Sequence, residues 1–227
     1  MTTLFMTASA EEILRFWFGE PAADTADVDA LMKRWFSADR ALDAITRDRF
    51  GPAMTEAAAS RLGDWEARPR GRLALILLLD QFPRNAFRGT AAAFAQDSMA
   101  LDQTMEGIAA AQDQELQPLE RLFFYMPMQH SESVSTQNRS VETFDELVRS
   151  APTDAMADVL TNSADHARQH RDIIAEFGRF PHRNAILGRI STEAEMRYLE
   201  QGGATFGQSG HPQRLSNKSR AGDDLDA

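Results

Sequence analysis

Residues 73–90 read LALILLLDQFPRNAFRGT, and their reading decides the fold. The seven apolar residues from Leu73 to Leu79 fall far short of the roughly 20 that a membrane helix needs. A run that is apolar on every side, with no alternation of polar residues, is expected as a helix buried all round. Such a helix has to be surrounded by other elements, so the rest of the chain must supply them.

Working outward, the signals are helical. Ser9 followed by Glu12 forms a capping-box pattern ahead of ILRFWF, in which Ile13, Phe16 and Trp17 share a face. Leu31, Trp35 and Phe36 make a second apolar stripe. Asp39 can cap a third segment, where Leu42, Ile45 and Phe50 recur at helical spacing until Gly51-Pro52 interrupts it. Further helices are expected over residues 53–62, 71–81, 91–110, 116–126, 131–150, 154–177 and 191–201. Pro83, Pro118, Pro127, Pro152 and Pro181 punctuate them. No alternating β-branched run is bounded by hairpin turns. The fold class expected is therefore all-α: antiparallel helix hairpins in an irregular array or bundle. One domain spans residues 1–207, and residues 208–227, with almost no core-forming side chains, are expected as a disordered tail.

The totals of the 227-residue chain narrow the function classes. With 43% hydrophobic and 26% charged residues it has the composition of a soluble globular protein. A net charge of -10 argues against a general nucleic-acid or anionic-membrane surface, so any anion site must be a local concentration of arginine. The absence of cysteine removes disulfides, thiol nucleophiles and thiolate metal sites. The first twenty residues lack the basic start and continuous apolar core of a signal peptide, and a cytoplasmic location is expected. No nucleophile elbow, phosphate loop or dinucleotide fingerprint is present, and no cofactor is expected.

Chemistry concentrates in three phrases. DQFPRNAFR places Asp80, Arg84 and Asn85 at the end of the buried helix. FGRFPHRNAILGRIST, residues 177–192, repeats the Phe-Pro-Arg-Asn-Ala theme with one extra residue, His182, and carries Arg179, Arg183, Asn184 and Arg189 with no acid among them. Gly178 suits the left-handed position that ends a helix, and the planar arginine heads suit bidentate contacts to carboxylate or phosphate. The same arginines can also lock two corners by pairing with helix carbonyls or Asp80. In FFYMPMQHSES, residues 123–133, Pro127 is expected to break the helix, and Ser131 or Ser133 can cap the next one. His130 stands at that break as a candidate acid or base, with Glu132 as its orienter. His166 and His170, four apart, share a helix face, but no Glu adjoins the first as in the zinc-protease motif and the chain has no cysteine; a third ligand would have to be Asp80, His130 or Glu132, and no metal is expected.

These phrases, together with ILRFWFG near the start and HRDIIAEFGRFPHRNAILGR, resemble in order the bacterial domain-of-unknown-function family 924 over residues 10–207. The resemblance implies an all-helical fold similar to the tetratricopeptide-like superfamily, with a right-handed run of helix hairpins. It implies no particular reaction. His170 falls within the family phrases and His166 does not.

Two functions are expected from these readings. The first is a polar pocket for a small anionic metabolite: Asp80, Arg84, Asn85, Arg179, His182, Arg183, Asn184 and Arg189 hold the ligand, while His130, His170 and Glu132 carry acid-base chemistry. The second is a non-catalytic module that holds a peptide or partner protein on a concave helical face. The two differ in whether Arg84, His130, His170 and Arg183 line one enclosed cavity.

Overall fold

The computed structural model describes residues 7–19, 28–36 and 39–208, and every regular element among them is helical. The order is α1 (Ala10–Phe18), α2 (Val28–Phe36), α3 (Arg40–Ala58), α4 (Pro69–Leu79), α5 (Gln81–Ala86), α6 (Asp97–Ala109), α7 (Pro118–Gln129), α8 (Val134–Arg149), α9 (Asp154–Phe177) and α10 (Glu193–Glu200). Tight 3-10 turns at Gly63–Ala67, Ala91–Ala93, Gln112–Glu115 and Pro181–Arg183 lie between them.

The buried helix is α4. All of Leu73 to Leu79 are buried, and α1, α3, α6 and α7 pack around it. At about 1.5–3 kcal/mol for each fully buried large aliphatic side chain, this run is a main source of the core's stability. α7, buried from Leu122 to Gln129, lies against both α4 and α8, and α8 packs along α9. The short join between α8 and α9 makes them an antiparallel pair. Trp17, Phe50, Phe82 and Phe123 fill the space between the first helices and α7.

The local signals act where the sequence puts them. Ser9 and Glu12 close a capping box, and the Asp39 carboxylate accepts from the amides of Ala41 and Leu42. Ser133 caps α8, and Gly178 ends α9 at φ 70°. No helix among the described residues is long and apolar enough to cross a membrane.

Pro118, Pro152 and Pro181 stand at element boundaries as expected, whereas Pro52 and Pro127 do not. Pro52 lies inside α3, which does not stop at Gly51. It removes one bond, to the carbonyl of exposed Asp48, while buried Phe50, Ala53 and Met54 hold both halves to the core. Pro83 occupies the first turn of α5, where its missing N–H has no helical partner to lose. Pro127 lies within α7, which continues to Gln129 because Phe123, Phe124, Met126 and Met128 are all buried. The expected helix over 91–110 divides into a 3-10 turn and α6. Gln208, assigned by sequence to the tail, is buried, and its side chain donates to Arg84 O (2.9 Å). The remainder of that expected tail, residues 209–227, lies outside the described residues.

Candidate functional site

α4 ends at Asp80, whose side chain has no exposure, and α5 turns immediately away from it. The carboxylate of Asp80 is surrounded. His130 Nδ1 lies 2.7 Å from Oδ1, Arg84 Nη1 3.0 Å from the same oxygen, and Gln81 Nε2 donates to Oδ2 at 2.6 Å. Burial alone would raise this carboxyl, but Arg84 and then His130 outweigh it and hold Asp80 far below the usual carboxylate range. An ionised carboxylate only accepts, so the bond fixes the proton of neutral His130 on Nδ1 and leaves Nε2 bare.

The second corner arrives from the far end of α9. The turn at Pro181–Arg183 places the Arg183 guanidinium between two rings, 4.4 Å from the Phe180 centroid and 4.6 Å from that of Phe94. Its Nη1 donates to Asp97 Oδ2 at 3.0 Å, and Arg84 Nη2 donates to that same oxygen at 2.9 Å. Burial first, with Arg84 adding to it and Asp97 opposing, brings Arg183 down to about 10; it is still a cation at neutral pH.

Between the corners lies a cavity of about 420 Å³. Arg84, His130, His170 and Arg183 all line it, as do Asn85 and His182. Four of the chain's five histidines face it, since His166 does so as well. His170 Nδ1 donates to His166 O at 2.7 Å, which again leaves Nε2 bare, and its ring stacks on Phe206 at 3.8 Å between centroids. Burial pushes His170 well below the ordinary imidazole value, with His130 adding to the shift. Burial and then Arg183 bring His182 down to about 3, and burial and then Arg84 lower His130 against the pull of Asp80. The three rings are therefore neutral at pH 7.

Four buried nitrogens of the lining have no hydrogen-bond partner: Asn85 Nδ2, Gln129 Nε2, His182 Nδ1 and Arg183 Nε. Asn85 Oδ1 accepts from Arg88 Nη2, which orients the amide with its nitrogen free. Three of these four groups can only donate. A short segment near the end of the described chain closes one side. Phe206 is held at φ 49°, a left-handed conformation rare for a bulky residue, while Gly207 O accepts from Arg88 and Gln208 accepts from the Gly89 amide.

The other predicted residues form a separate lock beside the cavity. Glu132, expected to orient a histidine, instead takes the Phe180 amide at 2.8 Å and both Nη atoms of Arg189 at 2.7 and 3.0 Å. The orienting carboxylate is Asp80. Asn184 donates to Ser191 Oγ and accepts from Arg189 Nε, while Arg179 is paired with Glu195 at 2.6 and 2.8 Å. Arg179, Asn184 and Arg189 do not line the cavity, because each is consumed in holding the loop before α10. Among the described residues no cluster of three or more His, Asp or Glu side chains is arranged to hold a metal.

Sequence reading missed Asp97, Phe94, Gln129, Phe206 and Gln208. Gln129 adjoins His130 in the same phrase and could have been suspected. Asp97 carries no local signal, because its role comes from two arginines that reach it from different parts of the chain.

The model of the family described as "Bacterial protein of unknown function (DUF924)" matches residues 13–203. A solved structure, that of the protein of unknown function ATU0120 from Agrobacterium tumefaciens, is similar to this chain with a TM-score of 0.72 and 39% identity. The match covers 85% of this chain and 97% of that one. Comparison with curated proteins finds no match.

Proposed function

We propose that this chain, which belongs to the DUF924 family of bacterial proteins, binds a small anion in the cavity between its two Phe-Pro corners and moves a proton on it. The observation that carries the reading is the set of unpartnered donors on residues that line the cavity: Asn85 Nδ2, Gln129 Nε2 and Arg183 Nε are buried with nothing to donate to. A buried unsatisfied donor costs about 1–3 kcal/mol, and a ligand that brings acceptor oxygens relieves several at once. The balancing carboxylates, Asp80 and Asp97, stand behind the arginines and do not line the cavity. The ligand therefore meets the donor side of each pair. The Nε edge of Arg183 is the side that a planar carboxylate engages in bidentate fashion.

Proton transfer falls to His130. Asp80 holds its Nδ1–H, so a bare Nε2 belongs to the ring that lines the cavity, the arrangement by which a carboxylate orients a histidine base. His170, held in the same tautomer by His166 O, is a second base of the same kind. The convergence of Arg84, His130, His170 and Arg183 on one cavity supports a small-ligand pocket over a peptide groove.

Thermal unfolding in acetate or phosphate, against chloride at matched ionic strength, tests the reading. Both oxyanions should raise the melting temperature of the native chain, because a ligand bound only by the folded state stabilises it by mass action. Arg183→Met should fold and lose the response. Equal melting temperatures in all three salts would remove the proposal.

A further inference from the structure

The cavity wall has a second part that anion binding leaves unused. Met32, Trp35 and Phe36 of α2, with Met126 of α7, line it. Trp35 and Phe36 are contiguous through Phe123, whose ring centroid is 4.7 Å from that of Trp35 and 6.4 Å from that of Phe36. The indole N–H of Trp35 donates to Trp17 O at 2.9 Å, so its polar atom is already satisfied and only hydrocarbon is offered to a ligand. Phe36 is 54% exposed although it belongs to this lining, a large aromatic surface left without cover beside a cavity. Arg84 and Arg183, by contrast, are knit together around Asp97 and Phe94.

We infer that the ligand is an amphipathic oxyanion, with a carboxylate or phosphate-monoester head on the Arg183 and Asn85 donors and an apolar chain or ring against α2. The inference rests on the anion reading above and specifies the body attached to the anion. At about 30 Å³ for each water-sized group, 420 Å³ holds roughly a dozen non-hydrogen atoms. A sugar phosphate or a di- or tricarboxylate of that size could find partners on Asn162, Ser163 and His166, but it would leave Met32, Trp35, Phe36 and Met126 without an apolar group to cover. A medium-length fatty or aryl acid satisfies both parts of the wall.

Isothermal titration of the full chain with acetate, hexanoate, octanoate, phenylacetate, octyl phosphate and neutral octanamide tests this. Affinity should rise about fourfold per methylene from acetate until the apolar wall is covered. Octanamide should bind at least tenfold more weakly than octanoate. Comparison of octanoate with phenylacetate separates chain from ring, and octyl phosphate separates the two heads. Phe36→Ala, at a half-exposed position that the fold tolerates, should weaken octanoate several-fold and leave acetate unchanged; Met32→Ala repeats the test. Equal affinities for acetate and octanoate would overturn the amphipathic inference and leave the anion reading standing. Octanamide binding as tightly as octanoate would overturn the anion reading and the inference with it, as would binding by none of the six.

Discussion

The guanidinium groups of Arg84 and Arg183 converge on one oxygen, Asp97 Oδ2, at 2.9 and 3.0 Å. Two cations delivered by segments far apart in the sequence are thus held side by side by a single carboxylate. Asp97→Asn leaves them facing each other in a buried site. The loss expected is about 3 kcal/mol, near the lower end for breaking a buried ion pair. Urea melts of Asp97→Asn, Arg183→Met and the double variant check this. Removing Arg183 as well should recover part of the loss, because the repulsion disappears with it.

The Glu132–Arg189 pair should behave differently. Both side chains are about a quarter exposed, and Glu132 also takes the Phe180 amide, so Arg189→Ala should cost about 1–2 kcal/mol. Since neither residue lines the cavity, the oxyanion-dependent rise in melting temperature should survive in this variant. Loss of that rise with an intact fold would mean that the lock belongs to the site.

The tautomers are open to direct measurement. With 15N-labelled imidazoles at pH 7, His130 and His170 should both report a protonated Nδ1 and a bare Nε2. In Asp80→Asn the His130 signal should shift toward a mixture of tautomers, whereas His170, held by a backbone carbonyl, should not change.

Stability should fall on mild acidification. His130, His170 and His182 have folded-state values below the unfolded value of about 6.5, each chiefly through burial. Between the folded and unfolded values the unfolded chain binds more protons, so unfolding free energy decreases as pH falls from about 6.5 toward 3, the value for His182. Asp80, with a depressed value, adds a further loss only below its ordinary value of 3.8. His170→Gln should flatten the slope between pH 5 and 6.5; a native chain with no slope there would contradict buried neutral imidazoles.

At the crossing of α6 and α7, a Cβ on Gly107 would lie 2.4 Å from Phe124 Cζ and 2.6 Å from Arg72 Cδ. Gly107→Ala therefore overpacks a buried contact, and the expected loss is about 1–3 kcal/mol despite alanine's better helix propensity. Thermal melts of this variant and of Gly51→Ala, where a Cβ meets nothing within 4 Å, provide the comparison.

Helices were legible wherever side chains declare themselves to their own backbone. Ser9, Asp39, Ser133 and Gly178 each act within a turn of their position, and Leu73 to Leu79 need only to be apolar to be buried. Pro52 and Pro127 misled because sequence shows the bond they remove and not the packing that outweighs it; both are carried through by buried neighbours on both sides. Among the site residues, Arg84, His130, His170 and Arg183 stand out by type, and so do Arg179, Arg189 and Glu132, which fold back onto one another. Arginine's reach lets it pair with a carboxylate on any nearby element, so composition identifies a cationic cluster without saying which member is spent. That division depends on Asp97, Asp80 and Glu132 arriving from separate helices and joins. The hydrophobic pattern along the chain was enough for an all-helical fold, because burial is a property of each segment. Which donors are left unpaired around the cavity was decided only by tertiary structure, because pairing is a property of two segments at once.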